Sequence, residues 1–497
     1  MKDTKLKVRD SEEKKQDEEV KSPAAAVQDG KEILEHQIIR ELIKKTKKKE
    51  YRYSYYVERD RLVTQNRPER FLEAFAAVLQ HSNYRHIVDL YSRIGARCSR
   101  CTAMCQVFQA SGDPRHIPCY RTKLLLDVYR RHFTLGGWVR GKLSGNGRLT
   151  DERLDELAEA VYKCTACRRC ALECPMGIDH GLMTHLARYI LSEIGLAPKA
   201  LVVATREQLE GATRNTSAVP VAALKDTVEF LEEELAEMFG FKGIGFPLDR
   251  EGVEYVFFPA VSDYLLEPDT LMGNAAAMYA AGDADNWTIG TRNFDGINYG
   301  LFYSDFMLGR IIRQEVAECR RLGRTILIGE CGHASRSAKF FVPVYGQPDP
   351  PPVVNIMEYT CRRFLEGKLR LKPKVIEERV TYHDPCNIAR SKWIIEQPRI
   401  LLRHICRDFV DMTPGGQYNL CCGGGGGTVS IDEIRRFRTT VMGGKKADQI
   451  KDTGAHYVVA PCANCKKQVR EVCEDNGLDG VQVVGLHDLL LKAFIFD

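Results

Sequence analysis

Residues 421–427 read Cys421-Cys422-Gly423-Gly424-Gly425-Gly426-Gly427, with Cys386 upstream and Cys462-Ala463-Asn464-Cys465 downstream. The five thiols form a C-x34-CC-x39-C-x2-C array. Adjacent thiols rarely bridge to each other, because a disulfide needs converging Cβ vectors. Both can bind one metal centre, and glycines let backbone crowd against a bulky group. The array therefore points to a metal–sulfur site, with Gly423 and Gly424 as candidate cofactor-binding positions. The preceding cysteines, and the lack of a lysine of the phosphate-loop kind, argue against a phosphate cradle.

The chain has 497 residues, enough for about three domains. No run approaches the roughly 18 apolar residues that span a bilayer. The N-terminus, MKDTKLKVRDSEEKKQDEEVK, lacks the apolar core of a signal peptide. The expectation is a soluble cytoplasmic protein without a membrane span, touching a membrane only through a partner. A net charge of +5 is mild, and no basic motif interleaves with aromatics, so nucleic acid is disfavoured. Eighteen cysteines in a reducing compartment, clustered in spacing, argue for metal rather than disulfides.

Residues 1–66 are expected to form a charged, partly disordered N-terminal extension. Its run Lys44-Lys45-Thr46-Lys47-Lys48-Lys49 reads as a solvated helix end, with a docking patch for an acidic partner as the alternative. From 67 to 240 apolar residues recur at helical spacing, first Phe71, Phe75, Val78 and Leu79, then Ile87, Leu90 and Tyr91. Thr150-Asp151-Glu152 carries the cap and first-turn acids of a helix start. A further helix is expected over Val221–Phe239, ending at Gly240. Beyond 250, strand-like runs (Tyr255–Phe258, Thr325–Ile328, Tyr457–Ala460) alternate with helices, which predicts an α/β region.

That region reads as a diverged repeat. Phe257-Phe258-Pro259-Ala260 aligns with His383-Asp384-Pro385-Cys386, and Gly329-Glu330-Cys331-Gly332-His333 aligns with Ala460-Pro461-Cys462-Ala463-Asn464. The expected divisions are a degenerate first half at 250–342, a Pro-rich linker and helix at 343–372, and a complete half at 373–497. The fold class is then α+β multidomain, an α-helical ferredoxin domain followed by a pseudo-two-fold α/β domain.

Cys164-x2-Cys167-x2-Cys170-x3-Cys174-Pro175 matches the bacterial ferredoxin run residue for residue. Cys98-x2-Cys101-x3-Cys105, with Cys119 further on, departs from it; alone it would also suit a four-cysteine zinc site. Beside the ferredoxin run, a paired cluster is the better reading. The crossed pattern predicts one [4Fe–4S] cluster on Cys98, Cys101, Cys105 and Cys174, and a second on Cys164, Cys167, Cys170 and Cys119. Cys331 and His333 are candidates to line a catalytic pocket opposite the five-thiol array. His383 is a candidate to tune that site or deliver a proton, with an ordinary strand-end histidine as the alternative. Cys319, Cys361, Cys406 and Cys473 read as small buried hydrophobes.

The C-x(n)-CCG-x(n)-C-x2-C array resembles the CCG motif of heterodisulfide reductase-type proteins. A helical ferredoxin module joined to it resembles HdrD, the D-type chain of heterodisulfide reductase, over about residues 67–497. Within that group the long glycine tract, the odd CSRCTAMCQVFQASGDPRHIPC segment and the single complete motif are similar to the K subunit (DsrK) of the DsrMKJOP complex and to HmeD. The resemblance implies a special, non-cubane [4Fe–4S] centre on Cys386, Cys421, Cys422, Cys462 and Cys465, with a cubane plus one spare thiol as the alternative. It implies electrons from a quinol-oxidising cytochrome b subunit of the DsrM kind, and other complex subunits on the cytoplasmic face of a membrane. The implied activity is heterodisulfide reductase-like reduction or formation of a disulfide or trisulfide of the sulfur carrier DsrC, in dissimilatory sulfate reduction or sulfur oxidation. Two other readings stand beside it: a pure electron-transfer subunit of a flavin-linked glycolate, glycerol-3-phosphate or lactate system, and a zinc-binding interaction protein.

Overall fold

The computed structural model describes residues 55–56, 66–81, 83–94, 98–144 and 148–496. The expected N-terminal extension and its lysine run lie almost wholly outside the described residues.

The first part is helical. The apolar stripe expected from Phe71 onward is split between helices Arg67–His81 and Tyr84–Ile94. Phe71, Phe75, Val78, Leu79 and Val88 are buried, but Leu90 faces outward. Thr150 caps helix Asp151–Tyr162, its Oγ1 accepting from Arg153 N at 3.4 Å. Helix Val221–Phe239 ends on Gly240 at φ 73°, the left-handed position that glycine occupies without strain. Helices Pro118–His132, Asp151–Tyr162 and His180–Glu193 pack together around the two cysteine groups. A two-residue strand, β1 (Tyr55–Tyr56), pairs antiparallel with β2 (Ala197–Pro198).

Beyond residue 250 the chain forms two four-stranded parallel sheets. In the first, β3 (Val253–Phe258), β4 (Trp287–Thr288), β5 (Gly323–Ile328) and β6 (Val353–Asn355) lie in the order β4-β3-β5-β6. A short β7 (Arg370–Leu371) precedes the second sheet, which holds β8 (Ile376–Tyr382), β9 (Cys406–Asp411), β10 (Tyr457–Val459) and β11 (Gln482–Val484) in the order β11-β10-β8-β9. The terminal β12 (Phe494–Ile495) pairs with β7. The central strands β5 and β10 bury nearly continuous apolar runs, as strands covered on both faces do. Ranked by chain order, the first sheet runs second, first, third, fourth. The second sheet runs fourth, third, first, second, so in both the first and third strands are central.

The Pro-rich stretch is not a linker. Pro343 lies within helix Gly332–Tyr345, and Val353–Asn355 is the fourth strand of the first sheet. Prolines lack the N–H a central strand must donate, yet their carbonyls can still accept. Pro352 O takes the Ile326 N–H at 2.9 Å, so the proline run leads into an edge strand.

Parallel α/β sheets place functional groups beyond the carboxyl ends of their strands. Here β5 leads to Cys331 and His333, β8 to His383 and Cys386, and β10 to Cys462. Among the described residues no helix is long and apolar enough to cross a membrane.

Candidate metal centre

The turns that end β8 and β10 bring the five array thiols together, and two further cysteines join them. Cys422 Sγ lies 3.5 Å from Cys465 Sγ. The thiols of Cys167 and Cys386 also act directly on Cys421, Cys421 acts on Cys422, and Cys462 interacts with both Cys465 and Cys331. The result is a continuous path of sulfur from Cys167 to Cys331. Bonds from Cys421 and Cys465 hold the Cys422 thiol well below the usual thiol range, and bonds from Cys331 and Cys465 do the same for Cys462. Their donors move the other way: the bond to Cys421 and burial push Cys386 up, and the bond to Cys462 and burial push Cys331 up.

Backbone and side chains around these sulfurs suit metal ligation. Gly423 N lies 3.4 Å from Cys421 Sγ, and Gly424 N lies 3.4 Å from Cys422 Sγ. His383 comes within 4.8 Å of the Cys422 and Cys465 sulfurs. Both its ring nitrogens are buried without a hydrogen-bond partner, and burial lowers its pKa to about 3. Lys446 is fully buried, and its cation is felt at Cys422 and Cys421; burial lowers it to about 8. Buried thiolates need compensating positive charge. Seven linked sulfurs, two N–H donors and an unpartnered imidazole fit a metal–sulfur cluster, which core packing or a disulfide would not require.

The glycine tract has a second use. A Cβ on Gly425 would stand 2.4 Å from Thr165 O, and one on Gly426 would stand 2.9 Å from Cys164 O. Only glycine lets the tract lie against the ferredoxin loop that carries Cys164 and Cys167. Arg188 locks that contact, donating to Cys164 O at 2.6 Å, Gly426 O at 2.8 Å and Phe302 O at 3.2 Å. Arg390 adds bonds to Cys167 O at 3.1 Å and Asn419 O at 2.7 Å. Asp384 fixes the turn before Cys386 through a paired contact with Arg399 at 2.9 and 2.8 Å.

Residues 96–178 match the family described as a 4Fe-4S dicluster domain, and residues 380–470 match one described as a cysteine-rich domain, CCG. The chain is 28% identical to the Hdr-like menaquinol oxidoreductase iron-sulfur subunit 2 of Archaeoglobus fulgidus, over 84% of this chain and 81% of that protein. It is 25% identical to the D-type chain of the dihydromethanophenazine:CoB--CoM heterodisulfide reductase of Methanosarcina acetivorans, over 76% of this chain and 87% of that one. Together these matches support an HdrD-like CCG iron–sulfur protein. Its relatives are oxidoreductase subunits, and its two matched domains are those of an iron–sulfur oxidoreductase. It is also 21% identical to the EtfAB:quinone oxidoreductase of Syntrophomonas wolfei, over 84% of this chain and 60% of that protein. No solved structure matches it.

In this HdrD-like protein the ferredoxin thiols group differently from the expected partition. Cys101 bonds Cys119, whereas Cys105 lies within electrostatic reach of Cys164, Cys167 and Cys170. Arg100 and Glu173 pair at 3.8 Å, setting the Cys98–Cys101 turn against the turn that carries Cys174. Cys105 and Cys119 thus exchange places. The reason is local: Cys98, Cys101 and Cys105 carry the x2 and x3 spacings of Cys167, Cys170 and Cys174, not of the first three cysteines. Ser99 and Arg168, each one residue after a matched cysteine, both take left-handed φ, at 52° and 59°. In the sequence Gly95 takes the position of the missing first cysteine of that run, and Cys119 stands beside Cys101 instead. Cys170 also acts on Cys101, so the two groups adjoin.

Across the five-thiol array stands a wall of which the motifs announce only Cys331 and His333. Cys331 Sγ lies 3.3 Å from His333 Nδ1, and Asn464 Nδ2 lies 3.3 Å from that same nitrogen. Asn298 N donates to His333 Nε2 at 3.3 Å. Tyr299 and Asn464, neither of them singled out by any motif, border a cleft of about 560 Å³ that also touches Thr216, Ser430, Lys467 and Arg470. No thiol lines this cleft, whose Ala463 and Asn464 lie between Cys462 and Cys465; a larger pocket, between Tyr279, Arg370 and Phe496, has no thiol in its lining either. Cys319, Cys361, Cys406 and Cys473 are buried apart from the site; burial pushes Cys319 and Cys406 up to about 12 and the other two to about 11.

Proposed function

We propose that this chain is the catalytic iron–sulfur subunit of a membrane-associated complex that reduces, or in reverse forms, a protein disulfide or trisulfide. The observation that carries this reading is the direct packing of the ferredoxin loop Cys164–Cys167 on the CCG glycine tract, which puts Cys167 next to Cys421. Electron transfer needs such proximity, and the Gly425–Gly426 contact with Thr165 and Cys164 maintains it.

Two [4Fe–4S] clusters are assigned to Cys98, Cys101, Cys119 and Cys174, and to Cys105, Cys164, Cys167 and Cys170. A special, non-cubane centre is assigned to Cys386, Cys421, Cys422, Cys462 and Cys465. Bound there, it would supply single electrons and a coordination site for sulfur. The shared pair of central strands supports descent of the two α/β halves from one duplicated unit, with Ala260 standing where Cys386 stands and only Cys331 kept. The cleft beside Tyr299 and Asn464 is the route by which a sulfur-bearing tail reaches the thiols.

Cleaving a disulfide takes two electrons and two protons and yields two thiols. The chain's own part is to position the tail and stabilise the departing thiolate, which leaves faster when its charge is offset. The Asn298 N–H occupies His333 Nε2, so the proton of the neutral ring sits on Nδ1 and faces Cys331 and the Asn464 amide, which must then turn its oxygen toward it. That N–H is a fixed donor to a sulfur at Cys331 or beside it. The substrate assigned by resemblance is a DsrC-like carrier, the electron source a DsrM-like cytochrome b, and the location the cytoplasmic face of the membrane.

The likeness to an EtfAB:quinone oxidoreductase favours a second reading, a subunit that passes electrons without sulfur chemistry. Purified protein given reduced viologen and a DsrC-like trisulfide separates the two. Thiol release that depends on the protein is expected; intact clusters without turnover would sink the reductase reading.

A further inference from the structure

Helix Leu135–Ser144, in the ferredoxin domain, is built inside out. Its inward side is glycine: a Cβ on Gly137 would stand 1.7 Å from Arg130 O, and one on Gly141 would stand 3.0 Å from the Arg131 guanidinium. The opposite side carries Leu135, Trp138, Val139 and Leu143, which are 80%, 54%, 44% and 84% exposed. At 100° per residue these four and Lys142 share one face. Amphipathic helices of globular proteins turn this face inward; exposing it on a helix that is already docked marks an interaction surface.

Charge selects the occupant. Between Asp127 and Asp151 the chain has Arg130, Arg131, Arg140, Lys142 and Arg148, and no acidic residue. Asp127 itself is paired with Lys123 and Arg130. Lys142 Nζ lies 4.2 Å from the Trp138 ring centroid, so its cation sits on the apolar face rather than away from it. A tryptophan and aliphatic side chains on a helix whose exposed charges are Arg140 and Lys142, with no acid on it, match the boundary between anionic headgroups and acyl chains. A protein partner would have to supply both an apolar seat and the whole countercharge.

We propose that this helix docks directly on an anionic lipid surface, orienting the ferredoxin domain toward the membrane without a spanning segment. The proposal rests on exposure and charge and is independent of the sulfur chemistry. The test is flotation of the full-length holoprotein with vesicles of phosphatidylcholine containing roughly a third phosphatidylglycerol, against vesicles of phosphatidylcholine alone. Binding to the anionic vesicles is expected, weakened by salt. Leu143→Glu and Trp138→Glu should each lower it by about tenfold or more, and Lys142→Glu by several-fold, with the visible absorbance of the clusters unchanged. Failure of the wild-type protein to float, or flotation of the variants as well as wild type, would overturn the proposal. So would a Leu143→Glu variant that loses co-purifying subunits from a protein that never bound vesicles, since the face would then be a protein interface.

Discussion

The imidazole of His333 lies flat against the phenol ring of Tyr299, with centroids 5.8 Å apart and planes 7° from parallel. Tyr299 accepts from Ser430 Oγ at 3.2 Å, which leaves its own O–H to donate. Burial raises the Tyr299 pKa to about 12 and lowers that of His333 to about 4, so both are neutral near pH 7. The pair therefore offers fixed hydrogen-bond donors beside Cys331. His333→Ala and Tyr299→Phe should each slow thiol release by roughly ten- to a hundredfold. Iron content and the electron paramagnetic resonance of the reduced ferredoxin clusters should stay unchanged; loss of iron would mean that the pair is structural instead.

The regrouping of the ferredoxin thiols has a direct test in iron counts. Cys105→Ser and Cys164→Ser are expected to remove the same cluster. Each single variant, and the double variant, should then lack about four iron atoms relative to the wild type. A double variant short of about eight would restore the partition in which Cys105 belongs with Cys98 and Cys101. A colourless wild-type protein carrying zinc would end the iron–sulfur account.

Gly425 is the tightest point between the glycine tract and the Cys164–Cys167 loop, with 2.4 Å left for a Cβ at Thr165 O. Backbone cannot yield there without moving the loop. Gly425→Ala should cost about 1–3 kcal/mol, as overpacking does, and slow electron arrival at the CCG centre in rapid-freeze spectroscopy. Gly444→Ala is the control, since a Cβ there meets nothing within 4 Å. Equal behaviour of the two variants would remove the tract's role as the joint between domains.

Glu315, on helix Asp305–Leu322, is buried, and neither of its carboxylate oxygens has a hydrogen-bond partner. Burial, with Asp295 adding to it, pushes its pKa well above the usual carboxylate range. The folded state therefore holds a proton that the unfolded state gives up near pH ~4.3. This group opposes folding increasingly as pH rises from there toward its folded pKa, by about 1.4 kcal/mol per pH unit. Glu315→Gln should raise the melting temperature at pH 7 and flatten its decline between pH 5 and 7, as read by calorimetry. A variant less stable than wild type at pH 7 would show that the carboxylate has a partner worth more than its desolvation cost.

Local sequence carried a good deal of this. The Cys164–Cys174 run, the cap at Thr150, the stop at Gly240 and the strands at Tyr255, Thr325 and Tyr457 each depend on neighbours a few residues away. The Pro343–Pro352 stretch misled, because a proline-rich edge strand and a linker have the same composition, and only the bond from Ile326 N to Pro352 O separates them. Tyr299 and Asn464 had no motif to announce them; a tyrosine and an asparagine gain meaning only from what stands opposite.

The close cysteine spacings alone pointed to paired ferredoxin thiols, since two or three residues of backbone place sulfurs around one turn, and the adjacent pair Cys421-Cys422 flagged a metal–sulfur array. Only the tertiary structure decided that Cys105 stands with Cys164 and that Cys167 touches Cys421. It also decided that Cys331 of one half closes on Cys462 of the other. Those meetings depend on how loops far apart in the chain pack, and here they turn on Gly425 and Gly426 lacking side chains and on Arg188 tying three segments together.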